Sequence, residues 1–150
     1  MDPPILQVVD DEYAQENGHP PCAAETVCID FDGTICPWGP LMEDRPPFCG
    51  VKDALRALAM QDYRIVILTS RLSPTWWAAE AEVRGVKPLA FGAEQIQFVT
   101  DYMARWGLPY DALTCEKVPA LAYLDDKAWR VAPADHAFGL AVGEFIGRTT

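Results

Sequence analysis

The sequence predicts a layered α/β domain built on a mainly parallel sheet, and three observations predict it. Short apolar runs at Thr26 to Ile29, Ile65 to Leu68 and Ala120 to Leu124 lack strict alternation, as strands buried on both faces do. Helical patterns separate them. Each run also ends in oxygen-bearing side chains: Asp30 and Asp32, then Thr69 and Ser70, then Asp125 and Asp126.

Taken in order, the first 25 residues are acidic and carry Pro3, Pro4, Pro20 and Pro21, so 1–25 reads as an arm and 26–150 as the folded domain. After the first strand, Val51, Ala54, Leu55 and Leu58 recur at helical spacing. After the second, Ile96, Val99, Met103 and Trp106 form a similar stripe that Gly107 ends. A further short strand is expected through Ala112 to Thr114, and a closing helix over Ala137 to Ile146. Strands alternating with helices imply right-handed crossovers.

Composition narrows the partners. A chain of 150 residues, half of them hydrophobic and 23% charged, fits one globular domain. No apolar run spans a bilayer, and the start MDPPILQVVDDEY lacks the positive end of a signal peptide, so a soluble cytoplasmic protein without a membrane partner is expected. A net charge of −10 argues against general affinity for nucleic acid. Five cysteines without a CxxC pair read as buried thiols, and two histidines make a histidine-rich metal site improbable.

The stretch CIDFDGTICPWG concentrates the chemistry. Asp30 and Asp32 repel each other when ionised, and a cation or a shared proton resolves the conflict. In a parallel sheet, Asp30, Asp32, Thr69, Ser70, Asp125 and Asp126 all lie at carboxyl ends of strands, the edge where α/β ligand sites form. Close carboxylates suit a hard cation such as Mg²⁺. With Lys117 and a hydroxyl nearby, the natural ligand is a phosphoryl group.

In this order, Asp30-Phe31-Asp32-Gly33-Thr34, Thr69 in ILTSR, Lys117, and Asp125-Asp126 after AYL resemble the four motifs of the haloacid dehalogenase-like (HAD) phosphohydrolase superfamily. The resemblance runs from about residue 26 to about residue 130. It implies a Rossmann-like, three-layer α/β/α domain. About thirty residues separate the first two motifs and about forty-five the second from Lys117, which leaves no room for a large cap.

The resemblance also implies roles. Asp30 is the expected nucleophile, giving an aspartyl-phosphate, and Asp32 the acid that protonates the leaving oxygen and then the base that activates water. Members that release halide lack that acid, so Asp32 favours phosphate. Gly33 permits the turn, Thr34 orders the loop, Thr69 (or Ser70, one register on) binds the phosphoryl oxygens, and Lys117 neutralises charge. Mg²⁺ is expected on Asp30, the backbone carbonyl of Asp32, and Asp125 or Asp126.

The expected activity is Mg²⁺-dependent hydrolysis of a small phosphorylated substrate, a nucleotide or sugar phosphate. The alternatives are a polynucleotide 3′-phosphatase and a non-catalytic phosphate-binding module. A phosphorelay receiver has its motifs in a different order. Cap-less relatives sometimes cover the open site with a neighbouring subunit, so a homo-oligomer is compatible with the reading. Arg71 is expected to support the loop. Trp38, Trp76 and Trp77 line the substrate mouth or pack, and the Pro-rich segment GPLMEDRPPFCG, with Arg45, forms a flap or a surface loop.

Overall fold

A computed structural model describes residues 25–131, 133 and 135–149. The expected arm therefore lies outside the described residues, apart from Glu25. The fold is α/β, with a four-stranded parallel sheet compatible with a Rossmann-like arrangement. The strands are β1 (Thr26–Ile29), β2 (Arg64–Leu68), β3 (Ala112–Thr114) and β4 (Ala122–Leu124), in the spatial order β3-β2-β1-β4. The described helices are α1 (Val51–Met60), α2 (Pro74–Arg84), α3 (Pro88–Arg105) and α4 (Ala137–Thr149).

Alternation along the strands explains the packing. Val27, Ile29, Ile65, Ile67 and Leu113 point to one face, where they meet Leu55 of α1 and Val99, Tyr102 and Met103 of α3. Each such aliphatic side chain contributes about 1.5–3 kcal/mol through burial. Cys28, Val66 and Ala112 point to the other face and pack with Leu68, Val118 and Ala120. Two successive crossovers thus place their packing helices on the same face, as connections of one hand stepping in one direction must.

Helix ends follow local chemistry. Ser73 caps α2 by accepting from Trp76 N, and Pro74 opens its first turn. Pro88 does the same for α3, which stops just before Gly107 as the spacing predicts. Gly92 lets α2 and α3 approach, since a Cβ there would run into the Trp77 ring. Trp76 packs edge-on against Phe91, with ring centroids 5.1 Å apart.

β4 starts at Ala122, two residues later than the apolar run suggests. Ala120 instead packs under the sheet, and Leu121 N donates to Thr26 O at 2.8 Å. More important is where β4 lies. From β1 the chain steps to β2 and β3 on one side, then returns to lay β4 on the other side of β1. That reversal opens a crevice at the carboxyl ends of β1 and β4, the place where open α/β sheets hold ligands. Among the described residues, no helix is long and apolar enough to cross a membrane.

Candidate active site

Asp30 follows β1 directly and Asp125 follows β4. The backbone joins them, because Asp30 N donates to Leu124 O at 2.9 Å. Asp126 comes next, and Asp30, Asp125 and Asp126 each present a carboxylate oxygen within 4.8 Å of the others.

Each carboxylate is aimed by one N–H donor. Phe31 N donates to Asp30 Oδ1 at 2.8 Å, Lys127 N to Asp125 Oδ1 at 2.7 Å, and Trp38 Nε1 to Asp126 Oδ2 at 2.9 Å. Asp30 and Asp126 also hydrogen-bond each other, carboxyl to carboxylate, so a proton is shared within the cluster. Burial raises the Asp30 carboxyl from its ordinary 3.8 to about 7; the Phe31 N–H opposes this, while Asp125, Asp126 and Asp32 push it further up. Asp126 shifts down, chiefly through the Trp38 N–H, with smaller help from a hydrogen bond with Asp30 and the Lys127 charge. Neighbouring carboxylates are thus driven apart in acidity.

The loop after β1 is shaped to meet the loop after β4. Ile35 N and Cys36 N both donate to Phe31 O, closing a tight turn, and Gly33 sits within it at φ 81°. A side chain at Gly33 would collide with Trp38 Nε1 and the Asp126 carboxylate. Thr34 Oγ1 accepts from Asp126 N at 3.1 Å and ties the two loops together.

Asp32 faces a different partner. Its Oδ2 accepts from Arg71 Nε and its Oδ1 from Arg71 Nη2, both at 2.8 Å. The guanidinium is buried, donates through Nη1 to Leu41 O at 2.6 Å and Gln95 Oε1 at 3.1 Å, and lies 4.7 Å from the Phe98 centroid and 5.5 Å from that of Phe31. Thr69 is buried at the end of β2, its Oγ1 accepting from Arg71 N at 3.2 Å, which caps the 3₁₀ turn Ser70–Leu72 that swings Arg71 inward. Ser70 is exposed.

No family model matches the chain, and no curated protein or solved structure is significantly similar to it.

The structure therefore gathers Asp30, Asp125 and Asp126, ties Thr34 and Gly33 against them, and holds Asp32 on Arg71. It does not bring Lys117 to them. Lys117 Nζ lies over the Tyr123 ring, 5.0 Å from its centroid, and among the described residues it forms no ion pair. The cation acting on the cluster is Lys127, whose Nζ stands 4.3 Å from the Trp38 centroid. Its position directly after the Asp125-Asp126 pair is the only signal the sequence carried for it.

The Pro-rich segment is fastened to α3. Tyr102 Oη donates to Arg45 O at 2.6 Å, Trp106 Nε1 to Asp44 Oδ1 at 2.9 Å, and Arg105 pairs with Asp44 at 2.7 Å. A cavity of about 370 Å³ lies between this strap and α3, bordered by Met42, Asp44, Phe98 and Asp101. None of the three clustered aspartates lines it. The cluster is instead an open site at the sheet edge.

Proposed function

We propose that the chain is a cap-less phosphomonoesterase of the HAD superfamily, with a three-layer α/β/α core, acting on a small phosphorylated metabolite. The observation that carries this reading is the meeting of Asp30, Asp125 and Asp126 at the β1–β4 crevice, where Thr34 of the loop after β1 ties to Asp126 of the loop after β4. Three oriented carboxylates form an all-oxygen donor set, which fits Mg²⁺. Asp30, Asp125 or Asp126, and the backbone carbonyl of Asp32 would hold the ion. When bound, it would supply charge neutralisation for the phosphoryl oxygens and for Asp30.

In this reading an Asp30 oxygen attacks phosphorus, the bond to the leaving oxygen breaks, and Asp32 delivers a proton to that oxygen. Asp32 then takes a proton from water as the water attacks the aspartyl-phosphate. The bond between phosphorus and Asp30 breaks, phosphate leaves, and both aspartates return to their starting states. Both Asp32 oxygens accept from Arg71 in the resting arrangement, so one arm of that fork opens whenever Asp32 carries the proton. Thr69 Oγ1 accepts from Arg71 N and keeps its hydroxyl proton to donate to the phosphoryl group, whereas Lys117 would engage it only after leaving the Tyr123 ring.

The grip of Arg71 on Asp32 and the resting place of Lys117 over Tyr123 favour a second reading, a phosphate-binding module without turnover. One experiment separates the two. Purified protein is given an aryl phosphate with Mg²⁺ and with chelator, and the acyl-phosphate is sought by peptide mass mapping. Metal-dependent turnover with the label on Asp30 is expected. Binding of phosphate without turnover would establish the module instead.

A further inference from the structure

We propose that Trp38 is a base-stacking platform, so that the phosphomonoester this site selects is a nucleoside monophosphate; the inference rests on the phosphate-site reading above. Trp76 packs on Phe91, Trp77 Nε1 donates to Arg71 O at 2.7 Å, and Trp106 donates to Asp44, so these three indoles belong to packing. Trp38 differs. It is 56% exposed, yet its orientation is fixed by the bond from Nε1 to Asp126 Oδ2 and by the Lys127 ammonium over the ring.

Fixing an exposed side chain costs rotational freedom that burial does not return. The placement gives the fixed ring a use. Trp38 leaves the loop after β1 and reaches the loop after β4, so the indole stands across the mouth of the crevice, bonded to a member of the aspartate cluster. An aromatic face beside a phosphate site matches a ligand with a flat heteroaromatic ring one sugar away from its phosphate. A sugar phosphate would leave the ring bare. Lys127 adds a positive charge at the same mouth, available to the phosphate when a base takes its place over the indole.

The test compares adenosine monophosphate with ribose 5-phosphate, which differ by the base alone, as Mg²⁺-dependent substrates of the full chain and of two variants. Trp38→Phe keeps a ring without the N–H; Trp38→Gln keeps an N–H without the ring. The ratio of kcat/KM values is expected to favour the nucleotide by roughly 5- to 150-fold, the range of one base stacked on an aromatic ring. That preference should survive largely in Trp38→Phe and fall toward one in Trp38→Gln, mainly through KM. A wild-type ratio near one overturns the platform while leaving the phosphatase intact, and so does an equal fall in both variants. If no ester is hydrolysed, the phosphatase reading fails separately and equilibrium dialysis decides: tighter binding of the nucleotide than of ribose 5-phosphate supports the platform, and equal binding overturns it.

Discussion

Arg71 holds Asp32 by both carboxylate oxygens, at 2.8 Å each, from a site where the arginine side chain is 5% exposed and the aspartate 16%. The same guanidinium reaches the strap at Leu41 and α3 at Gln95. One side chain thereby joins the first loop, the strap and α3.

Removing the fork should therefore be costly. Arg71→Ala leaves Asp32 without its counter-charge in a largely enclosed place, and a loss of about 3–5 kcal/mol is expected in urea denaturation. Arg71→Lys keeps the charge but not the planar fork and should recover only part of it. Equal stability of wild type and Arg71→Ala would contradict the structural role assigned to the pair.

The tether between the loops should act on ligand affinity more than on folding. Thr34→Val removes the acceptor of Asp126 N while keeping the shape, at about 1 kcal/mol of stability. Metal affinity is expected to fall roughly 10-fold, the usual effect of losing an outer hydrogen bond that orients a ligand. Calorimetric titration with Mg²⁺ reads it, and an unchanged affinity would show that Asp126 needs no such support.

Asp30 gives a pH dependence of known sign. Its carboxyl is raised from 3.8 to about 7 in the fold, so between those values the folded chain keeps a proton that the unfolded chain has lost. Its contribution to stability is complete below the ordinary value and disappears as pH rises through about 7. Without metal, melting temperature should fall over that window, and Asp30→Asn should flatten the curve. Mg²⁺ competes with that proton, so its affinity should rise with pH across the same range.

The two aspartates of the first motif should separate by leaving group. Asp30→Asn is expected to abolish turnover and the covalent intermediate together. Asp32→Asn should lose most with alkyl esters, whose leaving oxygen needs a proton, and least with an activated aryl phosphate in the first step. Burst kinetics across a series of leaving-group pKa values makes the comparison, and equal losses along the series would mean the roles are misassigned.

Much of the sheet is legible in the amino-acid order because its strands are short, apolar and buried, and each stops at a polar residue. Val27, Ile65 and Leu113 could be placed on strands from pattern alone. That Asp125 and Asp126 lie beside Asp30 depends on β4 returning to the β1 edge, which periodicity does not report. The hold on Asp32 was harder to see, since it needs the Thr69-capped turn that bends Arg71 back under the first loop. The resting place of Lys117 is equally hidden in the sequence: its spacing before the acidic pair says nothing about the path of 115–121, which lays the ammonium on Tyr123. Trp38, Trp76 and Trp77 were alike as letters, and only contacts sort them.

β4 is three residues long, borders β1 on one side, and leaves Tyr123 and Leu124 exposed. Two of the three clustered carboxylates hang from the end of this thin edge strand. Such strands open by local fluctuation far more readily than the centre of a sheet. Whatever bridges Asp30 to Asp125 and Asp126 therefore also staples the last strand to the body of the domain. Occupancy of the crevice becomes mechanical as well as chemical, and the amide protons of β4 should carry its record as slowed exchange with solvent.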